Sequence, residues 1–336
     1  MCSDGRQISY GLLKFGNIAY LTRGSLSEST LNRDVKSWSL LIFLGFIWGF
    51  SFLAVSISLE SFTPIQVAAL RITLGALVVF FFCILVGEPI PKLKAADIKV
   101  WKYCFGMALF SNVIPFSLLS WSLLYVDSSF AGITMTMVPL AVLPLSHFFG
   151  KGDLMTKGKA LGFFIGFIGA ILLFEPFENF SFGLSDETLI PKLVCFLATL
   201  CYATGSIITR RSPQSVSSIS FSCGALIMAA LIILPISLLV SDFNTHLGIK
   251  SIVAILFLGL IPTGLATIIL VYLVKNSGPS FMSLVNYQVP IWAIIFGVLF
   301  NGEVLPPSLL VGLFLIFMGL FLSQYIKGPT KNDRLG

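Results

Sequence analysis

The sequence predicts an all-α membrane protein whose ten transmembrane helices form two inverted five-helix repeats. Three observations support this prediction: an apolar composition, a series of charge-free stretches, and a similarity between the two halves of the chain. Of the 336 residues, 56% are hydrophobic and 11% are charged, whereas soluble proteins contain roughly 25% charged residues. So few charges cannot cover a soluble surface of this size, which argues against soluble enzymes and nucleic-acid-binding proteins.

A helix that crosses a bilayer needs about 20 mainly apolar residues, so stretches without Asp, Glu, Lys or Arg mark the candidate spans. In the first half, three long stretches contain none of these residues, and a fourth is interrupted only by Arg71. A fifth stretch is shorter and reaches spanning length only with its flanks. The five predicted helices are 39–59, 65–86, 102–124, 128–149 and 157–174.

The second half contains a similar series. Its first stretch is short, its second follows a Ser-rich loop that begins at Ser212, and three long stretches complete it. The five predicted helices are 190–209, 219–240, 251–273, 279–300 and 307–326. The predicted organisation is an N-terminal tail (1–38), a first repeat (39–174), a linker (175–189), a second repeat (190–326) and a C-terminal tail (327–336).

The N-terminal tail is polar and lacks the continuous apolar core and the cleavage site of a signal peptide. We therefore predict a retained, mobile tail. Basic residues concentrate in the short cytoplasmic loops of membrane proteins. If the N-terminus is cytoplasmic, the segments on the opposite side contain only two basic residues, Lys192 at the outer end of a predicted span and Lys250. Both termini are therefore predicted to face the cytoplasm, and the net charge of +6 requires no nucleic-acid partner.

The two halves are similar at an offset of about 151 residues. Residues 128–139 read SSFAGITMTMVP and residues 279–290 read PSFMSLVNYQVP, which aligns Pro139 with Pro290. Because each unit has an odd number of helices, the second unit starts on the opposite side of the membrane. Inverted repeats around a central binding site are the construction principle of many secondary transporters. The repeat therefore favours transport.

Several segments resemble the drug/metabolite transporter superfamily in its ten-helix EamA-type branch, over residues 39–326. In the last segment, Pro290 is followed by a Gly-Glu pair and by two spaced glycines, as in the closing hairpin of the family. The matching segments are WGFSFLAV (48–55), TPIQVAALRITLGAL (63–77) and PSFMSLVNYQVPIWAIIFGVLFNGEVLPPSLLVGLFLIFMG (279–319).

This resemblance implies movement of a small organic solute, very often the export of amino acids or related metabolites. It leaves the substrate open, because the superfamily also handles sugars, nucleotide derivatives and drugs. We expect a secondary transporter that exports amino acids or related neutral or zwitterionic metabolites by alternating access. The expected location is a bacterial inner membrane, with both termini in the cytoplasm.

Polar and aromatic side chains near the middle of the predicted spans are the candidates for a substrate site. Such groups are costly against lipid and are expected to face the protein interior or a wet cavity. Prolines should add acceptors, because Pro139 cannot donate to the carbonyl of Met135, nor Pro290 to that of Asn286. The alternative is interhelical hydrogen bonding and simple kinks. The predicted substrate-binding residues are Trp48, Asn112, Thr136, Tyr202, Asn286, Tyr287 and Gln288, and the predicted gating or structural residues are Arg71, Pro139 and Pro290.

Arg71 is the one full charge well inside a predicted span, about 9 Å from its outer end by helical rise. Three roles remain open for it. Its side chain can reach back to the outer interface, pair with Asp127, or hold a substrate carboxylate. The family carries an arginine in the same helix, and this match favours a fixed role.

The sequence contains little that suggests an enzyme. Its six cysteines form no CxxC pair, and with two histidines a metal centre has too few ligands. No phosphate-binding loop, nucleophile elbow or paired carboxylate is present. We therefore expect no catalysis, cofactor or metal, and as partners a small-molecule substrate and the bilayer, with the chain a monomer or homodimer. The alternatives are a membrane-embedded lipid-modifying enzyme and a non-transporting membrane receptor.

Overall fold

The computed structural model is all-helical throughout the residues that it describes. Those residues are 15–88, 90–91, 98–149, 155–173, 188–213, 216–240, 247–277, 279–282 and 284–325. The predicted linker (175–189) lies almost entirely outside them, and the predicted C-terminal tail (327–336) lies outside them completely.

Ten helices, some of them interrupted, follow one another along the described ranges. In order they are α1 (Phe15–Leu59), α2 (Pro64–Leu85), α3 (Ile98–Met107, Ala108–Val113 and Ile114–Ser122), α4 (Ser128–Thr134 and Met137–Phe149), α5 (Lys157–Leu172), α6 (Leu189–Arg210), α7 (Ser218–Val240), α8 (Ile249–Leu258, Gly259–Leu265 and Ala266–Ser277), α9 (Pro279–Met282 and Val285–Asn301) and α10 (Pro307–Tyr325).

Seven helical stretches in the described part of the chain are long and apolar enough to cross a membrane. In α9 and α10 the apolar helices are shorter, Val285–Asn301 and Pro307–Ser323. Local sequence explains several of the ends. At the start of α2, Thr63 and Gln66 form a reciprocal capping box before the first turn. At the end of α9, Gly302 adopts a φ of 63°, a left-handed conformation that glycine reaches without strain.

The first helix begins at Phe15, so the described part of the predicted N-terminal tail (15–38) is helical, while its mobility stays a prediction. Residues 1–14 lie outside the described ranges. The first proline of the chain is Pro64, so no residue before it is excluded from a helix interior. Apolar composition shows where a helix can cross lipid, but a polar segment in water can continue the same helix. The stretch suited to the membrane begins at Val35.

Two interruptions recur at equivalent places in the halves. α3 and α8 each contain a π-helical turn, at Ala108–Val113 and Gly259–Leu265. α4 and α9 are each broken into two pieces a few residues before Pro139 and Pro290. π-turns and proline breaks occur frequently at functional sites of helical proteins. We therefore look for a functional site at the level of the bundle where α3, α4, α8 and α9 are interrupted.

α5 and α10 pack through glycines in an antiparallel arrangement. A methyl group on Gly162 would overlap the carbonyl oxygen of Gly319, and one on Gly169 would overlap that of Gly312. Because these glycines have no side chains, the two helix backbones can come into direct contact. The repeat pairs Gly162 with Gly312 and Gly169 with Gly319, so each of these two contacts maps onto the other when the halves are exchanged.

The largest buried cluster draws apolar side chains from both halves of the chain. It includes Leu44 of α1, Leu140 of α4, Leu258 of α8 and Ile316 of α10, each at most 3% exposed. α1 therefore lies against the second half as well as the first. The cysteines inside the described ranges are buried and unpaired, as expected for small packing residues; Cys2 lies outside those ranges.

Candidate functional site

The π-turn of α8 is built around Pro262. Because Pro262 has no N–H, the carbonyl of Leu258 loses its helical donor. The hydroxyl of Thr263 replaces that donor, with Oγ1 lying 2.8 Å from the Leu258 oxygen. The carbonyl of Pro262 in turn accepts a hydrogen bond of 3.0 Å from the indole Nε1 of Trp48. This turn therefore fixes Trp48 of α1, in the first half, against α8, in the second half.

Arg71 projects from α2 onto the same turn. Its Nε donates to Thr263 Oγ1 at 3.4 Å, and its guanidinium carbon lies 3.8 Å from the centre of the Phe116 ring in α3. Only 7% of the residue is exposed. The side chain is thus held inside the bundle and does not reach back to the outer interface. Its described contacts do not include Asp127.

Tyr202 of α6 packs on Phe116 and extends this cluster. The centres of the two rings are 6.3 Å apart, with an angle of 60° between the ring planes. The α8 turn at Pro262 and Thr263, together with Phe116, therefore links three of the residues singled out from sequence: Trp48, Arg71 and Tyr202. The linked side chains come from α1, α2, α3, α6 and α8.

Asn112 occupies the π-turn of α3. Its Nδ2 donates to the carbonyl of Met107 at 3.2 Å, and the residue is 6% exposed. The repeat offset places Asn112 on Thr263 and Met107 on Leu258, so both turns carry a polar side chain bonded to the carbonyl five residues earlier. The amide of Asn112 holds its own helix in this structure.

The second group of predicted residues lies at the break in α9. Asn286, Tyr287 and Gln288 are all half-buried. Gln288 packs directly on α1, where a methyl group on Gly45 would lie 2.8 Å from Gln288 Cβ. The ring of Tyr287 lies 5.6 Å from that of Phe317 in α10.

The side-chain amides of Asn286 and Gln288 have no hydrogen-bond partner among the described residues. Gly45 precedes Trp48 by three residues, or about 4.5 Å of helical rise. Gln288 is therefore packed about one turn of α1 away from the indole that contacts α8. Pro290, at the following turn of α9, is buried.

Thr136 and Pro139 lie at the corresponding break in α4. Thr136 is fully buried, and its hydroxyl donates to the carbonyl of Ile133 at 2.7 Å. The carbonyl of Met135, expected to be left free by Pro139, instead accepts the N–H of Val138 at 3.1 Å. The two breaks therefore differ, because α4 satisfies its polar groups internally while α9 leaves two amides half-buried.

Glu303 links the halves at the other end of α4. Its carboxylate accepts hydrogen bonds of 2.9 Å from the backbone N–H groups of Ser128 and Ser129, one of 2.6 Å from the Ser128 hydroxyl, and one of 3.1 Å from Asn301. This is the cap or turn role expected from sequence, but the capped helix belongs to the other half. Burial by itself raises the pKa of this carboxyl, yet the hydrogen bonds from Ser128, Ser129 and Asn301 outweigh it and leave the pKa below its ordinary value.

Thr263 lies near the middle of the predicted span 251–273, but the predicted site residues include neither Thr263 nor Phe116, which connect the central residues. Thr263 could have been found by adding the repeat offset to Asn112. Phe116 could not, because it is one of 32 phenylalanines and nothing in its sequence context distinguishes it. The three roles left open for Arg71 could be distinguished only from its contacts in the folded structure.

Comparison with known proteins identifies the family. The profile of the EamA-like transporter family matches residues 36–175 and, separately, residues 189–325. The chain belongs to the EamA-like transporter family. The two matches fall on the two halves that sequence similarity had defined, and they cover most of the chain. The resemblance to the drug/metabolite transporter superfamily is thereby confirmed, and the chain is an integral multi-pass membrane protein.

Relatives of this EamA-like protein are named as transporters. It is 22% identical over 298 residues to the uncharacterized transporter YoaV of Bacillus subtilis, covering 88% of this chain and 99% of that protein. It is 25% identical over 272 residues to the uncharacterized inner membrane transporter YedA of Escherichia coli K12, covering 79% and 83%. A solved crystal structure aligns with a TM-score of 0.60 at 19% identity, over 85% of this chain and 95% of that one, which shows a similar fold.

Proposed function

We propose that this EamA-like protein is a secondary transporter that exports amino acids or related neutral or zwitterionic metabolites by alternating access. The proposed architecture is ten transmembrane helices in two inverted five-helix repeats. The proposed location is a bacterial inner membrane, because the Escherichia coli relative is named as an inner membrane transporter. A family of named transporters and an apolar, multi-helix chain support the general function.

The glycine contacts between α5 and α10 support the inversion. The contact of Gly162 with Gly319 becomes that of Gly312 with Gly169 when the halves are exchanged, which is the property of a pseudo-two-fold axis. The two equivalent helices run antiparallel at this contact. A two-fold axis that relates antiparallel helices lies perpendicular to them and, for helices that cross a bilayer, in the membrane plane.

Basic residues support the orientation, with both termini in the cytoplasm. Among the segments assigned to the outer side, the only basic residues are Lys192 and Lys250, each in the first turn of a helix, and basic residues are retained preferentially on the cytoplasmic side. Reaction of a cysteine introduced at Ser25 with an impermeant reagent outside intact cells would contradict this orientation.

One observation carries the proposed site. The amides of Asn286 and Gln288 are half-buried at a helix break and have no described protein partner. Unsatisfied amides inside a membrane protein are costly unless water or a solute binds them. Gln288 packs on Gly45, about one helical turn before Trp48, which joins α1 to α8. We assign solute binding to Trp48, Tyr202, Asn286, Tyr287 and Gln288, with Asn112 and Thr136 behind them in the helices that form the walls.

Flux in proteoliposomes tests this assignment. The purified protein should move at least one of the twenty labelled L-amino acids. Loss of one solute hydrogen bond is worth about 0.5–1.5 kcal/mol, so Asn286→Ala and Gln288→Ala should each raise the KM about two- to tenfold. The matched control is Leu299→Ala on the same helix, where 70% of the side chain is exposed. Normal KM values in both amide variants would place the site elsewhere.

A further inference from the structure

Arg71 is a buried, permanently charged side chain whose described contacts are all neutral. Arginine does not lose its proton in proteins, so the charge persists at 7% exposure. Its neighbours are the Thr263 hydroxyl, the Phe116 ring and the Tyr202 side chain. No carboxylate in the described part of the chain lies within salt-bridge distance of the guanidinium.

A charge in this position is costly. Buried ions in proteins are paired or coordinated, because removal from water is expensive. Charged residues inside membrane segments mark substrate or ion pathways for the same reason. A cation–π contact and one hydrogen bond to a neutral hydroxyl offset only part of that cost. The position therefore requires a counter-charge that the described protein does not supply.

The geometry leaves one edge of the guanidinium free. Nε donates to Thr263, and the guanidinium carbon lies over the Phe116 ring. The two Nη groups have no acceptor among the described residues. A pair of parallel N–H groups matches the two oxygens of a carboxylate. A single cation among neutral groups suits one negative charge better than the two of a phosphate monoester.

We propose that the Nη groups of Arg71 bind the carboxylate of the transported solute, which supplies the missing counter-charge. This inference rests on the proposed transport function and narrows its substrate class to solutes with a single carboxylate, zwitterionic amino acids among them. Arg71, assigned from sequence to gating or structure, becomes a binding residue. Thr263 and Phe116 become the positioning residues that fix its guanidinium plane.

Thermal unfolding of the purified full-length protein in detergent tests this proposal with two matched panels. One panel holds the twenty L-amino acids, and the other holds their carboxamides, which lack the negative charge. We expect at least one amino acid to raise the Tm of the wild-type protein. Its carboxamide should need an at least tenfold higher concentration for the same shift.

Variants then assign the preference to one residue. Arg71→Gln should bind the acid and the amide equally. Arg71→Lys should keep part of the preference, because it retains the charge but loses the two-pronged geometry. The control is Lys250→Gln, which removes an exposed cation and should keep the wild-type preference. The comparison of each amino acid with its carboxamide is made on the wild-type protein, so it tests the proposal even if a variant fails to fold.

Three results would overturn the proposal: a carboxamide that binds as tightly as its acid, a preference that survives in Arg71→Gln, and stabilisation by no amino acid at all. Flux measured on the same preparation separates this failure from failure of the proposed function. If a solute without a carboxylate is transported, the transport function stands and the role of Arg71 is wrong. If no solute is transported, the transport function itself is wrong.

Discussion

The π-turns of α3 and α8 are stabilised by the same kind of hydrogen bond but pack against different helices. In α3 the amide of Asn112 bonds to the Met107 carbonyl at 3.2 Å, and in α8 the hydroxyl of Thr263 bonds to the Leu258 carbonyl at 2.8 Å. Each donor reaches back five residues, and each turn begins directly after the carbonyl that is bonded. Backbone geometry has been kept between the halves although the side chain that stabilises it has changed.

The neighbouring helices differ much more. The turn in α8 packs on α2, which carries Arg71, whereas the turn in α3 packs on α7, which has no charged residue between Ser218 and Val240. The first half therefore brings a cation to the turn of the second half, whereas α7 of the second half brings none to the turn of the first. A repeat can therefore conserve the place where its helices bend although only one of its two copies carries a charged residue against such a turn.

The largest effect should come from a change in how closely each turn is packed. Gly75 of α2 lies against the α8 turn, where an added methyl group would overlap the Thr263 side chain. Gly224 of α7 lies against α3 about one turn before its π-turn, where the nearest atom would be Cys104 Sγ at 3.2 Å. Because overpacking typically costs about 1–3 kcal/mol, Gly75→Ala should lower the Tm clearly and Gly224→Ala only slightly. Equal losses of Tm would show that the two contacts are equally tight.

Some of this architecture could be predicted from sequence, and the reason is the bilayer. Lipid offers no hydrogen bonds, so spans must be apolar helices, and their positions could be predicted from composition. The beginning of α1 could not be predicted, because the part of a helix that continues into water need not be apolar. The contacts of Arg71 could not either, since they depend on Phe116 and Thr263 from α3 and α8, and the sequence does not specify which faces of these helices meet α2.

A second test concerns Glu303, by which the second half caps α4 of the first. Glu303→Gln keeps the shape but removes the charge, and hydrogen bonds to charged groups contribute about 1.5–3 kcal/mol. We expect a lower Tm at pH 7, with Glu60→Gln, an exposed site, as the control. Equal Tm losses in the two variants would mean that the cap contributes nothing.

The pH dependence of this cap has a definite sign. Because hydrogen bonds hold the pKa of Glu303 below its ordinary value, the cap stabilises the folded state fully above that ordinary value of about 4.3. The stabilisation is lost as pH falls through the lower, folded pKa. The Tm difference between wild-type protein and Glu303→Gln should therefore be constant near neutrality and shrink in the acid range. A difference that grows on acidification would contradict the assignment.

The smallest effect tests the two turns directly, through Thr263→Val and Asn112→Leu. Each variant removes one side-chain hydrogen bond within its own helix, and a typical intramolecular hydrogen bond contributes about 0.5–1.5 kcal/mol, so both should lower the Tm by a small and similar amount. The variants should differ in transport, because Thr263 also accepts the hydrogen bond from Arg71 Nε. Without that acceptor the guanidinium is less well oriented, so Thr263→Val should raise the KM for an amino acid more than Asn112→Leu does. If Asn112→Leu raises the KM as much, the two turns contribute alike to solute binding, and the functional difference inferred from Arg71 disappears.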